Sequence, residues 1–202
     1  MTKTRLISFA LIPLVIYLSY LLFNGINSEI ELAKAIKNSE AKVIDKLKLI
    51  RSAEKAYFAK YDMYTDKWDS LIMFVNQDTF FITEKEEIII QRKHDDPRAY
   101  LGDSVHVKID TLGWEPMKEH LFPAEKFPNF NVNNLKFIPG TDNKVFEIFA
   151  GKIDKGGVTV DVIEVVDKFP LDKSRSDENP NPRRWFLRFG SKTDVTTSGN
   201  WE

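Results

Sequence analysis

The stretch RLISFALIPLVIYLSYLLFNG, Arg5–Gly25, decides how the rest of the chain is read. Leu6 to Phe23 carries no charged residue. As a helix rising about 1.5 Å per residue it would reach about 27 Å, close to the ~30 Å hydrocarbon core of a bilayer. A cleavable signal has a shorter apolar core, about 7–15 residues, followed by a small-x-small site. Here FNGINSEIELAKA follows, and Ala33-Lys34-Ala35 comes too late for such a site. The stretch therefore reads as a retained membrane anchor over residues 6–23, including Leu6, Ile7, Pro13, Tyr17, Tyr20 and Phe23. Pro13 is tolerated in such a helix, and Tyr17 and Tyr20 suit an aromatic belt at the outer interface. Lys3 and Arg5 precede the span, whereas Glu29 and Glu31 follow it. By the positive-inside rule, residues 1–5 are expected in the cytoplasm and 26–202 in the periplasm, as in a single-pass inner-membrane protein.

Outward from the stretch, Ile26 to Tyr61 contains no Pro or Gly, and Ile36, Val43, Ile50 and Tyr57 recur every seven residues. With Leu32, Leu47 and Tyr61 they form one apolar stripe of an amphipathic helix. The stripe is expected to pack on the protein's own sheet or on a partner. Residues 26–42 are thinner in apolar side chains and read as a possible stalk. Asn27-Ser28 resembles an N-cap, unless the helix simply continues from the preceding stretch. After YDMYTDKWDS comes a short helix, WDSLIMFVNQ, for which Asp66 or Asp69 could supply the cap.

Beyond that point alternation replaces helical periodicity. TFFITEKEEIIIQRK reads as one or two strands. SVHVKIDTLG alternates, with Val105, Val107 and Ile109 on one face and His106, Lys108 and Asp110 on the other. The region from Asn131 to Phe169 reads as a meander turning at Pro139–Asn143 and at Asp154–Gly157. RRWFLRFGS reads as a last strand. The expected fold class is α+β, with a single N-terminal transmembrane helix and a long amphipathic helix packed on one antiparallel sheet.

Composition narrows the function classes. The chain has 202 residues, 43% of them hydrophobic, and a formal net charge of -1 from 29 basic and 30 acidic side chains. That balance lacks the basic excess of a nucleic-acid partner. With no cysteine, disulfides, thiolate metal sites and cysteine nucleophiles are excluded. His94, His106 and His120 are the only histidines and none has metal-ligand spacing. His94-Asp95-Asp96, flanked by Lys93, Pro97 and Arg98, reads as a solvated turn rather than a base or ligand set. Asp172, Asp177 and Glu178 could offer oxygen ligands to calcium, but Lys173, Arg175, Arg183 and Arg184 share that loop. No nucleophile elbow, phosphate loop or dinucleotide fingerprint appears. A non-enzymatic protein without cofactor or metal is expected.

The passage LIRSAEKAYFAKYDMYTDKWDSLIMFV, Leu49–Val75, resembles the type IV pilins and type II secretion pseudopilins. In that family an apolar N-terminal helix runs into an amphipathic one that packs on an antiparallel sheet, ends in an Ala/Tyr-rich turn and is followed by a short helix. The resemblance implies that Ala53, Ala56 and Tyr57 face the sheet and that Tyr64-Thr65 begins the loop. The leader Gly and helix Glu of the family have no counterpart in MTKTRLISFALIPL, so the likeness is one of domain build. It implies a structural or accessory subunit of a bacterial envelope machine, with the inner membrane and other envelope proteins as partners and possible self-association. An accessory role in an ion-driven complex of the TonB–ExbB–ExbD type is the alternative, and a periplasmic ligand-binding or sensing domain is a further one.

Overall fold

Without Gly after Gly25 or Pro after Pro13, nothing in the sequence stops the first helix before the Asp62 region, and α1 runs unbroken over Lys3–Tyr61. A computed structural model describes residues 3–90 and 104–202 of the protein, and the side chains of residues 3–10, 12, 14 and 104 lie outside the described set. α1 passes through Pro13 and through Asn27-Ser28. Ser28 caps nothing; its hydroxyl donates to the carbonyl of Gly25 at 2.8 Å, the back-bonding open to a serine inside a helix.

The transmembrane part of the expected fold class is overturned. Among the described residues no helix is long and apolar enough to cross a membrane. Leu6 and Ile7 lie outside the described side chains. The described uncharged run Val15–Phe23, which includes Ser19, rises only about 13 Å, and Asn24, Asn27, Glu29 and Glu31 then enter. Pro13, Tyr17, Tyr20 and Phe23 are exposed. Single-pass placement in the inner membrane is accordingly not supported.

The chain divides into two units. One comprises Met1–Leu49, Phe137–Phe149 and Val162–Glu202, the other Ile50–Lys136 and Ala150–Asp161. In the first unit, Val43 and Leu47 of α1 are buried together with Ile138, Phe146, Val162, Ile163, Val165, Val166, Leu187 and Phe189. The chain's three-stranded sheet has the order β3-β4-β5, with β3 at Glu147–Lys155, β4 at Val158–Val166 and β5 at Arg188–Gly190; the first unit holds β5 and the β3 and β4 residues outside Ala150–Asp161, which belong to the second unit. β3 and β4 join at Gly156-Gly157, both at positive φ, as a tight hairpin turn of mirror-image type requires. β4 pairs antiparallel with β5, Val165 opposite Phe189. The expected last strand shrinks to three residues because Pro182–Arg184 forms a 3-10 turn before it. Gly190, at φ +78°, lies so close to β4 that an added Cβ would meet the carbonyl oxygen of Ile163 at 1.9 Å. Arg175 fixes the loop that follows β4: its guanidinium grips Glu40 of α1 through two nitrogens and also donates to the carbonyls of Arg183 and Trp185.

In the second unit, Ile50, Ala53 and Glu54 of α1 are buried with Leu71, Ile72, Phe74 and Val75 of α2, Trp68–Gln77. Met117, Phe122, Val132 and Leu135 complete that core; Met117 opens the short helix α3, Met117–Leu121. Neither Asp66 nor Asp69 caps α2. Lys67 occupies the N-cap without a side-chain bond, and Asp69 falls inside the first turn. Tyr57, Tyr61 and Phe74 form an aromatic cluster with ring centroids 4.6–5.9 Å apart. Beside it, burial alone would push the Asp78 carboxyl up, but hydrogen bonds from Lys60, the Thr79 amide and the Tyr61 hydroxyl hold it below the usual carboxylate range.

This unit also holds a second sheet. β1, Thr79–Ile90, pairs among the described residues with β2 alone, Ser104–Pro116, as a two-stranded antiparallel ribbon. The single sheet expected from the sequence is therefore two sheets. The α1 stripe does not cover the ribbon, since β1 is exposed along nearly its whole length.

Candidate interaction surface

Opposite residues of an antiparallel pair share a face, and faces alternate along each strand. In the ribbon, Ile89 pairs with Val105, Glu87 with Val107, Lys85 with Ile109, and Phe81 with Trp114. Following β1 in steps of two puts all of these on one face. That face shows Ile89, Val105, Val107, Ile109, Phe81 and Trp114 to solvent, with Ile89 and Ile109 each 64% and Trp114 68% exposed, around a Lys85–Glu87 ion pair of 2.7 Å contributed by β1. The opposite face is charged in its middle, where Glu86 pairs with Lys108 and Glu84 with Asp110. Leu112 is the extra residue of a bulge between these registers, and it too is exposed. At the root of the ribbon, Phe80 stacks on His120 with centroids 3.7 Å apart, and His120 Nδ1 meets the Glu115 carboxylate.

A sheet face with this many large apolar side chains in water is uncommon on a monomeric protein, which makes it the candidate interaction surface of this unit. A second exposed apolar region is the α1 segment from Val15 to Phe23, continued by Ile26, Ile30 and Leu32. Among the residues expected to pack on a sheet or partner, Val43, Leu47 and Ile50 are buried, Ile36 and Tyr57 are half-buried, and Tyr61 is exposed. They do not converge on one site: Ile36, Val43 and Leu47 belong to the first unit, the other three to the second.

The remaining described titratable groups are placed as follows. His94, Asp95 and Asp96 lie outside the described residues, and His106 is exposed on the charged face of the ribbon. In the first unit, a cleft of about 480 Å³ is lined by Glu164, Lys168, Asp177, Trp185, Arg188 and Lys192 among others. Its charges satisfy one another. Arg188 bonds both Glu164 and Asp177, Lys168 pairs with Asp177 at 3.0 Å, and Lys192 lies 3.7 Å from Glu164. The loop considered for calcium spends its carboxylates similarly. Asp172 accepts from the Ser174 amide and pairs with Arg184, and among the described residues no cluster of three or more His, Asp or Glu is arranged to hold a metal.

The ribbon could have been found in the sequence from the alternation of Val105, Val107 and Ile109, although the same alternation reads equally well as a strand with a covered face. No protein family, curated protein or solved structure matches the chain.

Proposed function

We propose that the chain is a non-enzymatic subunit that binds partner proteins within a larger assembly. The observation that carries this reading is the apolar face of the β1–β2 ribbon, which no other part of the described chain covers. The burial of six large apolar side chains against a partner would contribute about 1.5–3 kcal/mol each at full burial, ample for a specific complex once the costs of association are met. A ligand-sensing role has less support, because the cations of the first unit's cleft already hold carboxylates.

The resemblance of Leu49–Val75 to pseudopilins supports an assembly of the bacterial envelope, a secretion apparatus before an ion-driven complex of the TonB–ExbB–ExbD type. The order of α1, the Tyr64-Thr65 loop and α2 is in keeping with that resemblance. Residence in the periplasm is part of the same proposal and rests on the resemblance alone. Purification of the tagged full chain from its own cells under native conditions tests the reading, beside a variant carrying Ile89→Ser and Trp114→Ser. A stoichiometric companion present with the wild type and lost with the variant is expected. An unchanged complement in the variant would refute the ribbon as the docking element.

A further inference from the structure

We infer that β2 pairs with β2 of a second copy of this chain, antiparallel, about a two-fold axis at Ile109. The inference rests on the ribbon being an interaction element and adds which partner its edge takes. Among the described residues β1 and β2 form a sheet of two strands only, so the outer edge of each is open. An isolated two-stranded ribbon is marginal in water and gains from a third strand. An open edge with alternating apolar side chains is a template for another strand unless charge or proline blocks it.

Charge decides between the two edges. The middle of β1 carries Glu84, Glu86 and Glu87 against Lys85, so two copies would bring net negative charge together. The middle of β2 carries one of each sign, Lys108 and Asp110, side by side on the same face and 2.7 Å apart. A closed two-fold pairing must be self-complementary. With the axis at Ile109, Lys108 of each copy stands opposite Asp110 of the other, twice, on the charged face. On the other face Ile109 meets itself and Val107 meets Thr111.

Neighbouring registers fail. An axis at Lys108 sets lysine against lysine, and an axis at Asp110 sets aspartate against aspartate. A slip of one residue between the copies joins the apolar face of one ribbon to the charged face of the other. Only the Ile109 axis satisfies both faces near the centre of the strand. The product is a four-stranded sheet of order β1-β2-β2-β1. Its apolar face pools the rows of both copies into one surface, leaving that surface free for the partner proposed above.

The test uses charge exchange on the purified full chain, with mass in solution measured by sedimentation or light scattering up to the highest soluble concentration. Lys108 and Asp110 are 57% and 55% exposed, so exchanging their charges leaves the ribbon's packing alone. The wild type is expected to dimerise. Lys108→Asp alone and Asp110→Lys alone each place like charges opposite each other twice, and each is expected to weaken dimerisation by about tenfold or more. The double variant with both changes, and an equimolar mixture of the two single variants, are expected to recover it. A wild type that stays monomeric at every concentration overturns the pairing. So do single variants that dimerise like the wild type, or a mixture that fails to recover. Each of these results leaves the companion-protein test with Ile89 and Trp114 as a separate readout.

Discussion

Glu54 provides the sharpest test of the second unit's core. It is 1% exposed, between Ile50 and the buried α2 residues, and one carboxylate oxygen accepts from the Thr65 amide at 3.3 Å. Its other oxygen has no hydrogen-bond partner among the described residues. Burial pushes its pKa from an ordinary 4.5 to about 8, opposed by the Thr65 amide and helped by the charge of Asp66. The fold therefore holds this proton more tightly than the unfolded chain does. The contribution of this group to stability is greatest below pH 4.5, falls as pH rises toward 8, and is flat beyond. A gap of about 3.5 on the pH scale corresponds to about 5 kcal/mol in all, with about 4 kcal/mol lost between pH 5 and pH 9. Glu54→Gln keeps the acceptor for Thr65 and cannot ionise. Urea unfolding followed by tryptophan fluorescence and circular dichroism at pH 5, 7 and 9 should show the wild-type midpoint falling across that range. The same change should be nearly absent in the variant, which is expected to be the more stable of the two at pH 9. Tyr64, raised by its burial and by the neighbouring Glu54 and Asp161, stays neutral throughout the range and does not obscure the comparison. Equal pH dependence in the two proteins would refute the argument that a neutral glutamic acid is built into this core.

Other consequences can be checked on the same unfolding assay. Tyr57→Ala removes the ring that meets Tyr61 and Phe74, and because Tyr57 is half-buried the expected loss is about 2–3 kcal/mol, below that of a fully buried aromatic; a loss under 0.5 kcal/mol would show the cluster to be ornamental to folding. Gly190→Ala forces a Cβ into the Ile163 carbonyl at a residue with φ +78°, and a loss of about 3 kcal/mol or more is expected, with Phe189 and the β4–β5 pairing disturbed. Glu40→Ala strips Arg175, whose side chain is 10% exposed, of its two-point partner and should cost about 2–4 kcal/mol. Arg175→Lys should recover little of that link, since an ammonium cannot reproduce the fork; full stability in Arg175→Lys would refute the two-point reading.

The parts of the fold legible in the sequence are those set by short-range period. The α1 stripe at Val43, Leu47 and Ile50 follows helical spacing and is buried as that spacing requires. The same spacing places Glu54 four residues beyond Ile50 on the buried side, a signal that the charged look of SAEKAYF conceals. Tyr57 and Tyr61 continue the stripe but lie in the last turns of the helix. There the cover is an aromatic cluster rather than a closed core, so burial fades toward the end. Turns at Gly140 and at Gly156-Gly157 were readable because positive φ selects glycine. The grip of Arg175 on Glu40 joins residues 135 apart in sequence, and no local pattern announces such a pair.

The ribbon shows where local reading stops for a physical reason. Alternation along β2 reports which residues share a face, since that follows from backbone geometry alone. Whether a face is wet or dry depends on what lies against it, and along Val105, Val107 and Ile109 of β2 nothing in the described chain covers the face. Val105, Val107 and Ile109 thus read in sequence as a strand with a covered side, and the structure leaves that side bare. Both observations agree if the cover belongs to another molecule. The neutral pair Lys108 and Asp110 on the reverse face then has its own explanation, because a strand edge meant to stay alone is better protected by charges of one sign than by a pair that a second copy can match.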